Sequence, residues 1–213
     1  LYLELHNTND GYDTFGAYTT YDFYCMKKKE NKDFITKIKG QDNSIYKTNI
    51  KELEFIPNGM FDEILSLIPK EGEEKVEVLY SRSNYGTDKN NTSREKSEEF
   101  KYPCVYTTLK DGTINKFWSN TNDKGHFGIP KVIWSNGGAT TPIIDKEGQY
   151  GLTQFSYAII DEPKNLENIK KAMESRTFNK LMPMTDGITG VGRHRYNRKA
   201  ISTFRKDFWK EFI

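Results

Sequence analysis

The sequence predicts an α+β fold: strand-rich mixed sheets, a few short helices and long polar loops. Three observations carry this. Short runs rich in Val, Ile, Tyr and Trp, bounded by Gly, Pro and Asn, recur along the chain. Apolar residues at helical spacing occur in only three places. Two long polar stretches, residues 81–99 and 118–128, separate the strand-like runs.

In chain order, residues 1–5 (LYLEL) read as a strand. Residues 22–26 (DFYCM) read as a buried strand after a polar, Gly-containing lead. Phe61, Ile64, Leu65 and Ile68 share one face of a helix over residues 61–68. Residues 76–82 (VEVLYSR) alternate for part of their length. Residues 103–109 and 130–135 are strands with Pro at the first position, where a missing N–H is tolerated. Residues 151–160 (GLTQFSYAII) are long enough for a central or bent strand. A helix opens after Asp161-Glu162-Pro163, acids and Pro being favoured in a first turn. Its stripe is Leu166, Ile169, Ala172 and Met173. It breaks near residues 175–177, and residues 178–182 add a short second helix. A last helix starts at Ser202 or Thr203, both good caps. Phe204, Phe208 and Phe212 fall four apart and face the core.

The 213 residues carry a net charge of +2, and 13 Phe, 13 Tyr and 3 Trp supply the material of a core. Mean hydropathy is -0.79. No apolar run approaches the roughly 18–20 residues of a membrane span, so no membrane partner is expected. Two cysteines, Cys25 and Cys104, exclude a disulfide scaffold and favour a reducing compartment, with a cytoplasmic location expected. The chain opens at Leu1 inside a strand pattern, which suggests a piece of a longer polypeptide. The charge is uneven: residues 131–213 hold 14 basic and 9 acidic groups, +5, against -3 for the rest. Arg193, Arg195, Arg198 and Lys199 fall within seven residues without an acid, either a solvated loop or a phosphate-contacting patch.

Catalytic patterns are sparse. His6, His126 and His194 are scattered, and the cysteines have no CxxC partner, so no metal is expected. No phosphate loop occurs, and Gly190-Val191-Gly192 follows no convincing strand. Four Glu-x-Lys triplets occur, no more than the density of lysines and acids gives by chance. One of them, Glu73/Lys75 with Asp62 upstream, abuts a strand and is the candidate site of a metal-dependent endonuclease. The Gly-rich cofactor turn of a class I methyltransferase is absent. So is the Asn/Asp-Pro-Pro-aromatic tetrapeptide that receives a flipped adenine.

The run Thr19-Thr20-Tyr21-Asp22-Phe23-Tyr24 resembles the T-x-Y-D-aromatic-Y strand late in the catalytic domain of adenine-N6 DNA methyltransferases of type II restriction–modification systems. Phe55-Ile56-Pro57-Asn58 resembles the FIPN that follows it. FKYPCVYT from Phe100, FWSNTNDKGHFGIPKVIWSNG from Phe117, PIIDKEGQYGLTQFSYAI from Pro142 and FRKDFWKEF from Phe204 continue the likeness. In order and content they resemble the C-terminal target-recognition region of such enzymes, including fused restriction–modification polypeptides.

This resemblance implies a catalytic domain outside the chain that binds S-adenosylmethionine, with no cofactor in the chain itself. Residues 1–69 would be closing strands of that domain plus a connecting helix. Residues 70–213 would be the DNA target-recognition domain. The implied partners are double-stranded DNA and the catalytic domain of the same polypeptide.

A recognition domain needs phosphate contacts for register and base contacts for sequence. Arg and Lys suit guanine, and Asn suits adenine. The candidates are Arg82, Ser83 and Tyr85 in the first polar stretch, and Asn120, Asn122, Lys124 and His126 in the second. Arg193, Arg195, Arg198 and Lys199 suit phosphates, and Lys131 sits on an adjacent strand. Trp134, Tyr21 and Tyr24 read as core aromatics rather than stacking platforms. Besides the endonuclease, a non-catalytic protein-interaction domain is the other alternative.

Overall fold

The computed structural model describes residues 1–28, 34–81, 90–137, 140–188 and 195–213. Among these residues three four-stranded sheets and five short α-helices make an α+β architecture.

The first sheet begins with β1 (Tyr2–His6) and continues through α1 (Thr8–Phe15) into β2 (Tyr21–Cys25). Sequence reading missed α1, although its start signal is present. The Asn7 carboxamide accepts from the amides of Asn9 and Asp10, and the Asp10 carboxylate accepts from the Asn7 amide. This reciprocal cap satisfies donors that open every helix, and left-handed Gly16 ends it. A hairpin of β3 (Ile35–Lys39) and β4 (Ile45–Asn49) completes the order β2-β1-β3-β4, with β1 parallel to β3. Leu5 and Ile38 pack on Phe61 at the start of α2 (Phe61–Leu65). Ile64, one turn later, belongs to the main core.

Residues 21–25 form a strand, but not the buried one that the sequence predicts. Phe23 is 56% exposed and Tyr24 62%. Tyr24 pairs with Leu3 and Phe23 with Glu4, so the two rings stand on opposite faces of an edge strand. Neither face is covered by described residues at these positions.

The second sheet contains β5 (Glu77–Tyr80), and the third begins with β6 (Thr92–Ser93), β7 (Tyr102–Thr108) and β8 (Ile114–Ser119). Next come β9 (Lys131–Ser135), β10 (Ile143–Asp145), β11 (Gly151–Leu152) and β12 (Ser156–Ile160). The second sheet runs β10-β9-β12-β5 and is antiparallel throughout. The third runs β11-β7-β8-β6. The stretch expected as one strand over residues 151–160 is therefore two. The hydroxyls of Thr153 and Ser156 both donate to the Val105 carbonyl, at 2.9 and 2.8 Å, where the chain leaves one sheet for the other. Side-chain donors there replace ladder bonds that a continuous strand would make.

Val105 and Leu152 of the third sheet pack against Ile133 and Ala158 of the second. On the other face of the second sheet Val132, Trp134 and Ile159 meet a helical layer. That layer is α3 (Leu166–Glu174), α4 (Arg176–Leu181) and α5 (Arg198–Ile201). Trp134 is fully buried, and its indole N–H donates to the Tyr196 carbonyl.

No α-helix starts at residue 202 or 203. The backbone there bonds sideways instead. The Phe204 carbonyl accepts from the Val76 amide, and the amides of Arg205 and Lys206 donate to Leu67 and Glu74. Phe204 and Phe208 are nonetheless fully buried, the latter in a short 3-10 turn, Phe208–Glu211. The four-residue spacing reflects aromatic packing across a bend rather than a helix face.

Candidate nucleic-acid interface

β5 ends at Tyr80, and the chain then enters residues 82–89. Arg82, Ser83 and Tyr85 lie there, outside the described residues, as do Arg193 and His194. What surrounds the end of β5 is described. Tyr80 pairs in register with Tyr157 of β12. The Arg198 guanidinium carbon stands 4.3 Å from the Tyr80 ring centre and 5.5 Å from that of Tyr157. A planar cation over an aromatic face gains roughly 0.5–2 kcal/mol and is held in direction. Burial pushes the Tyr157 phenol up, and the Arg198 charge opposes that shift.

Local sequence sets Arg198 in place. It opens α5, whose cap is Asn197. The Asn197 carboxamide oxygen accepts from the amides of Lys199 and Ala200, and its Nδ2 donates to the Thr185 carbonyl. Lys199, one residue on, is exposed.

The second polar stretch reaches the same place. His126 adopts a left-handed φ of 62°. Its Nε2 lies 3.2 Å from the Tyr80 carbonyl. The Gly125 carbonyl beside it accepts from the Leu152 amide. At the far end of the first stretch, the Asn120 amide donates to the Asn91 carbonyl, and β6 pairs with β8. The Asn120 Nδ2 adds bonds to Asn90 and Asn91. Both described flanks of the first polar stretch are thus tied to the second. Asn122 and Lys124 stand exposed on it.

Two basic candidates have structural duties. Lys131 is fully buried, with Nζ 2.9 Å from the Asp145 carboxylate and 3.0 Å from the Ile129 carbonyl. Burial holds its ammonium below the usual lysine range, opposed by Asp145. The same carboxylate accepts from the amides of Gln149 and Tyr150. A DNA contact by Lys131 is therefore corrected: its charge is satisfied between neighbouring strands β9 and β10 of the second sheet, away from solvent. Arg195 is half-buried. It donates to the Asn179 carboxamide at 2.7 Å and the Thr140 carbonyl at 2.9 Å. It staples α4 to the chain after β9.

Sequence reading passed over Tyr80 and Tyr157. The signal for Tyr80 was an aromatic at the last strand position before a long polar stretch, whereas Tyr157, inside β12, carried none. The endonuclease candidates are differently disposed. The Lys75 ammonium pairs with Glu54, and the Glu73 carboxylate accepts from the Lys70 amide. Among the described residues no group of three His, Cys, Asp or Glu side chains is placed to hold a metal ion. Among them, too, no helix is long and apolar enough to cross a membrane. No protein-family model matches the chain, and no curated protein matches it.

Proposed function

We propose that this chain reads DNA sequence as the target-recognition part of an adenine-N6 DNA methyltransferase of a restriction–modification system. One observation carries the reading. The second polar stretch, through His126, and the basic segment, through Arg198, converge on Tyr80 at the edge of the first polar stretch. Three distant parts of the sequence thereby bring an arginine, a histidine and a tyrosine together, and the histidine's polar stretch exposes Asn122 and Lys124. Duplex recognition needs such a mixture, cations for phosphates and amides for base edges.

The partner is a catalytic domain of the same polypeptide. The edge strand β2 supports this, because it exposes Phe23 on one face and Tyr24 on the other, and exposed apolar surface of this kind marks a place where a further layer can pack. Methyl transfer is not assigned to the chain. S-adenosylmethionine is left to the catalytic domain, because the Gly-rich cofactor turn and the Asn/Asp-Pro-Pro-aromatic tetrapeptide do not occur in the 213 residues.

Fluorescence anisotropy with labelled duplexes tests the reading. Wild type should bind with strong salt dependence. Arg198→Ala should weaken all duplexes similarly and flatten the log–log salt slope by roughly one. Binding to heparin as tight as to DNA, with Arg198→Ala indistinguishable from wild type, would favour the protein-interaction alternative instead.

A further inference from the structure

The third sheet has one face pressed on the second through Val105 and Leu152. The opposite face is aromatic. Phe117 pairs with Cys104 and Tyr102 with Ser119, which places both rings on that outer side. Phe127 lies there too, since a Cβ on Gly151 would come within 2.5 Å of its ring. Tyr106, at the bulge of β7, meets Phe117 edge-on at 4.9 Å and Phe155 at 5.2 Å. Tyr102 and Phe127 make a similar contact at 6.1 Å. All five rings are half-buried, so each keeps part of its surface in solvent.

Two exposed cations border these rings. The Arg94 guanidinium stands 5.7 Å from the Phe117 ring centre, and the Lys101 ammonium 5.4 Å from that of Tyr102. Neither makes an ion pair with a described residue. Glu95, Glu98 and Glu99 of the same segment make none with them either.

A packed apolar core uses rings fully, and a solvated face carries few of them. Half-exposed rings on a sheet, with unpaired cations at their margin, match a different ligand: a strand whose bases present flat faces and whose phosphates lie one sugar away. A duplex hides its base faces and offers such a surface little. We infer that the outer face of the third sheet binds unpaired nucleobases of a DNA strand by stacking, with Arg94 and Lys101 holding its phosphates. The inference rests on the DNA-reading proposal for the kind of polymer, but not for the site. Phe127 directly follows His126, so one loop would serve both surfaces.

The test uses the full chain and two probes, a fluorescein-labelled mixed-sequence 12-nucleotide single strand and the matching duplex. Three variants are compared with wild type: Tyr106→Leu/Phe117→Leu, Arg94→Ala and Arg198→Ala. The expected result is a loss of roughly tenfold in single-strand affinity for the ring pair and roughly threefold for Arg94→Ala. Duplex affinity should be unchanged in both. Arg94 is exposed, so its variant remains informative if the ring pair fails to fold by circular dichroism. Single-strand affinity unchanged in Arg94→Ala and in a folded ring-pair variant would overturn the proposal. So would displacement of the single strand by a poly-glutamate peptide at equal charge concentration, which would mark a site for acidic protein segments. Duplex binding that responds to Arg198→Ala, with no single-strand binding, removes the stacking surface and leaves the DNA reading standing. Single-strand binding without duplex binding does the reverse. No binding to either probe overturns both.

Discussion

The Lys131–Asp145 pair is the sharpest energetic feature of the molecule. Both side chains are almost fully buried, at 0% and 2% exposure, and their charged atoms are 2.9 Å apart. Asp145→Asn keeps an oxygen for one of the Gln149 and Tyr150 amides, which bond to different carboxylate oxygens, and leaves the ammonium without a counter-charge. Among the described residues its only other polar partner is the Ile129 carbonyl. Stranding a buried charge in this way costs about 3–5 kcal/mol. Lys131→Met keeps most of the side-chain volume, and the remaining carboxylate still accepts two amide bonds. That change should cost about 2 kcal/mol. The double variant removes both charges together and should cost less than Asp145→Asn alone. Urea unfolding followed by tryptophan fluorescence measures all three, Trp134 being buried in the same sheet. For a chain of this length each kcal/mol moves Tm by about 2–4 °C. A double variant destabilised by the sum of the singles would refute the coupling. A loss of DNA affinity in folded Lys131→Met would refute the purely structural role of that lysine.

Burial pushes the Asp186 carboxyl up to about 6. The folded state therefore holds its proton where the unfolded chain has released it, and stability from this group is lost as pH rises from about 4 to about 6. Asp186→Asn should flatten that part of the stability–pH curve, and an unchanged curve would assign the dependence elsewhere. Gly148 has a φ of 67°, and a Cβ there would lie 2.3 Å from the Ile129 amide nitrogen. Gly148→Ala should destabilise by about 3 kcal/mol, from left-handed strain and displaced backbone, readable in the same urea titration. Phe23→Ser/Tyr24→Ser removes two exposed rings of β2, so Tm should move by no more than about 2 °C. A drop well beyond that would mean that the rings pack within this chain rather than against a further domain.

Much of the strand-rich architecture was legible because its strands are aromatic and β-branched between Gly and Pro. β5, β7 and β9 fall within a residue or two of their predicted starts. The α3 stripe of Leu166, Ile169, Ala172 and Met173 is fully buried, as its spacing requires. Failures came where long-range bonds override local pattern. The residues after Thr203 bond to Leu67, Glu74 and Val76, partners more than 120 positions away. The strand over residues 151–160 breaks because two hydroxyls find the Val105 carbonyl. The burial of residues 22–26 was misjudged because an apolar strand does not announce whether a covering layer is in the same chain. At the candidate site, composition pointed to the polar stretches and the basic cluster. It could not show that Lys131 faces Asp145, nor that Tyr80 is the point where the stretches meet.

Selection from a random duplex pool tests DNA reading most directly. Repeated capture on the immobilised chain should enrich one short motif, and enrichment should fade in Arg198→Ala. Retained duplexes with no common sequence after equal rounds would show phosphate binding without reading, and would contradict a target-recognition role.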